Sequence, residues 1–410
     1  MRLGLFGQFG TGNSGNDSSL EAMIRLLRTH RPDAELICIC PNPAQVTADF
    51  GIKAISSGRA DPKGRLSTGA IARLVGRMRN LVYPFAAAGL LDALIVPGTG
   101  FLDDFQEVPF GWPFMIMRWS LAARLRGAKL AFVSIGAGPI RHAMSRRFMV
   151  AAARLCHYRS YRDQISKDFM IALGCGSDAD RVYPDLAFSL IAPNGRAPGG
   201  ERVTVGVGVM AYAGWVRQHA DSEAIYDRYT GRIVAFIAWL LGQGHDVRLL
   251  TGDKQDKQAV SDVLERLKAH TPPDISATVT LQPTRTLQEL MEQIALTDIV
   301  VATRFHNVIG ALKMARPVVS LGYARKNEVL LEDMGLHDMS QPIENLDLDL
   351  LKTQFARVLR DRTIISDQIR GCTTLYASRL AEQERALLRI LSPRRSGERS
   401  GDTQPSGFPT

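Results

Sequence analysis

The chain has 410 residues, 45% hydrophobic and 22% charged, a balance that excludes a fibrous or largely disordered protein and a length that calls for two domains, each with its own core. A net charge of +9, from 50 Lys and Arg against 41 Asp and Glu, suits an anionic partner; the arginines are scattered and no nucleic-acid signature accompanies them, so small anions rank above nucleic acid. Five cysteines (Cys38, Cys40, Cys156, Cys175, Cys372) at irregular spacing argue against a disulfide framework and a zinc site, and point to a reducing cytoplasm.

The N-terminal apolar run is too short for a signal peptide, and no stretch reaches the ~20 apolar residues of a spanning helix. Short apolar runs that end in glycine-rich or polar loops alternate with longer amphipathic segments, the pattern of an α/β fold with parallel sheets. In the first half the expected strands are Leu3–Phe6, Leu36–Cys40, Ala93–Val96 and Leu130–Ser134. A Pro/Gly cluster at 193–202 reads as a linker between an N-terminal domain (1–192) and a second α/β domain (203–345), with strands at Val203–Val209, Val247–Leu250, Ile299–Ala302 and Val318–Leu321. A charge-rich helical segment is expected over 346–391 and a disordered tail over 392–410. Two such α/β halves facing one another form a cleft at the carboxyl edges of their strands.

The first loop, Gly7-Gln8-Phe9-Gly10-Thr11-Gly12-Asn13-Ser14-Gly15-Asn16-Asp17-Ser18, joins a strand to a helix whose start is expected at the Ser18/Glu21 capping box. Free N–H groups and the positive end of the helix dipole make such a loop an anion site. Gly10-x-Gly12-x-x-Gly15 has the dinucleotide spacing, but its first glycine lies four residues past the strand and strand two ends in Cys40-Pro41-Asn42 without a ribose-binding acid. The Walker lysine is also missing. A substrate or phosphate loop is therefore expected, with a purely steric glycine turn as the alternative.

Next, Val96-Pro97-Gly98-Thr99-Gly100-Phe101-Leu102-Asp103-Asp104 sets two carboxylates after a glycine turn; Asp103 or Asp104 can serve as base or hydrogen-bond acceptor, or else cap the following turn. Ser134-Ile135-Gly136-Ala137-Gly138-Pro139 repeats the design, followed by Arg141, Arg146 and Arg147, the last two read as a solvated face. In Tyr161-Arg162-Asp163, Asp163 fits an N-cap and Arg162 can reach the cleft.

The stretch Ile299-Val300-Val301-Ala302-Thr303-Arg304-Phe305-His306 places a guanidinium and an imidazole between a buried strand and an apolar helix. There they concentrate positive potential, and His306 can exchange protons near neutral pH. Tyr323-Ala324-Arg325-Lys326 follows the next strand and offers Lys326 to a phosphate or carboxylate.

These segments, in order, resemble the polysaccharide pyruvyl transferase family. Gly12-Asn13-Ser14-Gly15-Asn16-Asp17 is similar to its Gly-Asn-x-Gly-Asp element with Asn16 inserted, the Gly98-Thr99-Gly100 turn to its triple-glycine turn with Thr99 in place of glycine, Arg162-Asp163-x-x-Ser166 and Asp185 to its middle segment, and Thr303-Arg304-Phe305-His306 to its Ser-x-Arg-x-His signature. The resemblance implies a GT-B-like fold and transfer of pyruvyl from phosphoenolpyruvate to a sugar of a glycan precursor, forming a ketal. It implies catalytic roles for His306, Arg304 and Asp103, with substrate held by Gly12, Asn13, Gly15, Asp17, Gly98, Gly100, Gly136, Gly138, Arg162 and Lys326. Neither redox cofactor nor metal is required by that scheme. A nucleotide-sugar glycosyltransferase or a non-catalytic binding protein of the same fold is the alternative. Whether the acceptor is lipid-linked is left open; the basic stretch Arg59 to Arg79 reads first as a solvated helical face, with membrane contact as the alternative.

Overall fold

The computed structural model describes residues 1–58, 80–105, 107–195, 202–214, 221–270 and 278–392. The basic stretch 59–79, most of the linker (196–201) and the tail from 393 lie outside the described residues.

Two fully parallel sheets form the frame. The first has strands β1 (Arg2–Phe6), β2 (Glu35–Cys40), β3 (Lys53–Ser56), β4 (Ala93–Pro97), β5 (Lys129–Ile135), β6 (Tyr158–Tyr161) and β7 (Arg181–Val182), in the order β3-β2-β1-β4-β5-β6-β7. The second has β8 (Thr204–Gly208), β9 (Asp246–Leu250), β10 (Val279–Leu281), β11 (Ile299–Ala302), β12 (Val318–Gly322) and β13 (Ser340–Pro342), in the order β10-β9-β8-β11-β12-β13. Each order reverses beside its first strand, next to β1 and next to β8, which is where a doubly wound sheet opens its binding crevice. Central strands such as Ala-Leu-Ile-Val-Pro in β4 and Ile-Val-Val-Ala in β11 are buried at every position, because helices cover both faces and leave no side for polar residues. The edge strand β3 is only half-buried.

The first helix, Ser14–His30, begins five residues earlier than the Ser18/Glu21 pattern implies. Asn13 is the N-cap: its Oδ1 accepts from the N–H groups of Gly15 (3.1 Å) and Asn16 (3.2 Å), while Ser18 Oγ turns back to the Gly15 carbonyl at 2.7 Å. An asparagine directly after the turn satisfies the orphan donors before the serine is reached.

The charge-rich C-terminal stretch is two helices, Leu348–Arg360 and Arg362–Leu391, broken at Asp361. The second crosses back to the first sheet. Its Gln383 donates to Ser134 and Ser160 Oγ, each at 2.8 Å, its Glu382 accepts from Tyr183 Oη at 3.0 Å, and Lys129 Nζ donates to the Ile390 carbonyl at 2.6 Å. The end of the chain thereby ties the second half to the first. Among the described residues no helix is long and apolar enough to cross a membrane.

Candidate functional site

The carboxyl ends of both sheets face each other across a cavity of ≈ 150 Å³. From the first half it is lined by Gln8, Asn13, Gly15, Asn16, Thr99, Gly100, Asp103, Trp112 and Arg162, and from the second by Gly252, Arg304, His306, Asn307, Tyr323 and Lys326. Eight of the residues expected from the sequence (Asn13, Gly15, Gly100, Asp103, Arg162, Arg304, His306, Lys326) are brought together there.

The halves are stitched at the Gly-rich loop. Ser14 Oγ donates to the Gly252 carbonyl at 2.6 Å, and Lys254 N–H donates to the Gly12 carbonyl at 3.2 Å. One residue on, a Cβ on Gly15 would stand 2.0 Å from His306 Nδ1. Gly15 thus serves as the seat of the imidazole. Gly15→Ala is expected to push the ring aside and lower turnover by about 10²-fold, the usual penalty for ångström-scale misplacement, and to destabilise by about 1–3 kcal/mol through overpacking; measuring kcat and Tm checks it.

His306 lies in the first turn of the helix Phe305–Lys313, and its Nε2 is 4.0 Å from Asp185 Oδ2 with no hydrogen-bond partner among the described residues. Burial lowers its pKa to about 4; Asp185 opposes the shift, while Arg162, Lys326 and Arg304 add to it. The imidazole is therefore neutral at pH 7 and able to accept a proton. Asp185, 4% exposed, also sits 3.5 Å from Arg162 Nη1.

Arg162 lies with its guanidinium 4.7 Å above the Phe305 ring, and Lys326 Nζ is 5.5 Å from the same ring and 4.7 Å from that of Tyr323. Aromatic faces hold both cations beside the cavity, and Arg162 also has Asp163 Oδ2 and Asp185 Oδ2 opposite it, each at the long distance of 3.5 Å. Asp103, from the loop after β4, accepts from Phe105 N–H at 3.2 Å; burial raises its pKa against the pull of Lys326 and Arg162. Its neighbour Asp104 caps no helix: it accepts from the N–H groups of Arg141 (3.0 Å) and His142 (2.8 Å) and pins the loop after β5. Asp163 is an N-cap as expected, accepting from Ser166 N–H at 2.7 Å.

Arg304, for which the resemblance implies a catalytic role, lines the cavity with its guanidinium held by acids. Its Nε and Nη2 bind both oxygens of Asp256, each at 2.7 Å, and its Nη1 is 3.5 Å from Asp253 Oδ2. With two carboxylates already opposite it, the guanidinium braces the loop after β9.

Five expected substrate-binding residues fall outside the cavity lining. Gly12 packs on the Lys254 side chain and Gly98 on Ser19 Oγ. A Cβ on Gly136 would stand 2.5 Å from the Arg162 guanidinium, and one on Gly138 would stand 2.8 Å from the Phe169 ring. Asp17 accepts from Gly10 N–H at 2.8 Å and so shapes the loop; burial lifts its pKa to about 6. Thr99, in the glycine-like turn, does line the cavity and holds φ 76, a strained conformation for a β-branched residue, costing about 1–3 kcal/mol.

Sequence reasoning missed Asp253 and Asp256, whose only signal is two acids after an apolar strand. It also missed Asn307. That side chain is fully buried on the cavity wall, its amide lies between Gly208 and Gly252, and neither Nδ2 nor Oδ1 has a hydrogen-bond partner among the described residues. A buried unpaired amide costs about 1–3 kcal/mol, an expense that a ligand can recover. Asn307→Leu is expected to raise Tm and lower kcat/KM; a variant that loses stability would refute the reading.

A family model described as polysaccharide pyruvyl transferase matches residues 13–325. No curated protein matches by sequence. Among solved structures, UDP-GlcNAc 2-epimerase from Neisseria meningitidis bound to UDP-GlcNAc superposes with TM-score 0.59 at 12% identity, covering 95% of this chain and 99% of that chain. UDP-GlcNAc 2-epimerase from Methanocaldococcus jannaschii gives 0.57 at 12% identity over 87% and 92%, and Acinetobacter baumannii MurG gives 0.54 at 12% over 95% and 99%. At such identities the likeness speaks for the fold alone, a GT-B arrangement of two Rossmann-like halves.

Proposed function

Since the chain belongs to the polysaccharide pyruvyl transferase family, we propose that it transfers the pyruvyl group of phosphoenolpyruvate to two hydroxyls of a saccharide, forming a pyruvate ketal and releasing phosphate. The observation that carries this reading is a neutral, buried imidazole, His306, set in one small cavity with two cations, Arg162 and Lys326, and a carboxyl whose pKa burial raises, Asp103.

The chemistry needs those groups. A proton delivered to the methylene carbon makes it a methyl group and leaves an oxocarbenium-like centre at the next carbon; Asp103 is the donor. A sugar hydroxyl then adds to that centre and gives its proton to His306. Phosphate departs with the electrons of its bond to carbon, and the second hydroxyl closes the ketal. Two hydroxyl protons are released, one replaces the proton drawn from Asp103, and the other leaves on hydrogen phosphate. Arg162 and Lys326 hold the carboxylate and phosphate, and Asn307 supplies an amide to one of their oxygens. Anion binding offsets the cations that depress the His306 pKa, so its basicity rises once the donor is in place. The transfer is redox-neutral.

Incubation with phosphoenolpyruvate and a panel of saccharides tests the reading. Acceptor-dependent phosphate release with a new methyl resonance of a ketal is the expected result. Binding of phosphoenolpyruvate without turnover on any acceptor, or consumption of a nucleotide sugar instead, would count against it. A cytoplasmic location belongs to the same proposal, since the donor is a cytoplasmic metabolite.

A further inference from the structure

A second cavity of ≈ 580 Å³ adjoins the first and shares Tyr323 with it. At ≈ 150 Å³ the first lies below the ~300–1,000 Å³ usual for an organic ligand site, and the second within it. Its walls come from the carboxyl edge of the second sheet, with Tyr212 after β8, Glu328 after β12 and Glu344 and Asn345 after β13, and from the first half with Arg141. The Tyr212 and Tyr323 rings lie 6.1 Å apart at 34°, and Tyr212 Oη donates to Glu344 Oε1 at 2.5 Å. Glu328, Glu344 and Asn345 are exposed to the opening.

Tyrosine faces beside carboxylates and amides suit a saccharide. Tyr212 is buried and backs Tyr323, whose partly exposed ring offers an apolar edge to a pyranose, and acids and amides accept from or donate to its hydroxyls. A nucleoside diphosphate would need cations not balanced by acids, whereas here Arg141 and Arg325 are matched by Glu328 and Glu344. We propose that this second cavity is the acceptor subsite: a pyranose lies against Tyr323, is read by Glu328 and Asn345, and presents its hydroxyl pair past Tyr323 to the donor cavity. The assignment rests on the transferase reading above, which the first cavity carries.

The test uses the full chain and two variants at exposed positions outside the donor cavity, Asn345→Trp, which fills the opening, and Glu328→Ala. Binding of methyl glycosides of common hexoses and N-acetylhexosamines is followed by saturation-transfer NMR, and phosphoenolpyruvate affinity by calorimetry. The expected result is glycoside binding to the native protein, weakened at least about tenfold in either variant by loss of hydroxyl recognition or space, with phosphoenolpyruvate affinity and melting temperature unchanged. No glycoside binding to the native protein, undiminished binding in both variants, or uridine diphosphate occupying the cavity instead of any glycoside each overturns the proposal. Failure of phosphoenolpyruvate to bind while glycosides do overturns the donor reading alone.

Discussion

Asp256→Ala is expected to destabilise the protein by about 3–5 kcal/mol, the cost of leaving a buried charge without its partner. Asp256 is fully buried, and besides both Arg304 bonds it accepts from Ala211 N–H at 3.0 Å. Its carboxylate therefore joins the loop after β8, the start of the Asp256–His270 helix and the start of the Phe305–Lys313 helix. Asp253→Ala should cost less, because that carboxylate reaches Arg304 only at 3.5 Å. Chemical denaturation measures both. The double variant Asp256→Leu/Arg304→Leu separates stability from function: apolar replacement of a buried pair restores stability in many proteins, yet the helix bearing His306 loses its brace and activity should remain low. An Asp256→Ala protein within 1 kcal/mol of the native one would show that Arg304 is held by other means.

The frame was legible because its signals are local. Strands such as Ile299–Ala302 are runs of apolar residues closed by polar loops, and burial on both faces leaves that mark in any parallel sheet. The loops were legible as loops for the same reason. What the glycines in them do was not, since a glycine reports only that a side chain is unwelcome. Gly15 makes room for an imidazole some 290 positions along the chain and Gly136 for a guanidinium, and both were read as anion cradles. Arg304 shows the same limit: a cation beside a strand end looks free in the sequence, and only the folded chain brings Asp253 and Asp256 opposite it. Asn307 gave no signal at all, because an asparagine two positions into a helix is unremarkable until its surroundings prove to hold no partner for it.

His306→Gln should lower turnover by about 10²–10⁴-fold, the usual contribution of a positioned acid or base, while phosphoenolpyruvate binding is retained through Arg162 and Lys326. Stability offers a readout that does not depend on activity. The folded-state pKa of about 4 lies below the ordinary 6.5, so between those values the unfolded chain binds a proton that the native state does not. Stability is thus full above pH 6.5 and falls by on the order of 3 kcal/mol as the pH drops through 4. Asp17 works in the opposite sense. Its folded pKa of about 6 exceeds 3.8, so its contribution is full below pH 3.8 and is lost as the pH rises through 6. The two slopes offset one another between pH 4 and 6, and the native protein should show a shallow profile there. Asp17→Asn removes one term and should expose a steep loss of stability on acidification; adding His306→Gln should flatten it again. If adding His306→Gln to Asp17→Asn leaves the profile unchanged, His306 is not held neutral by burial.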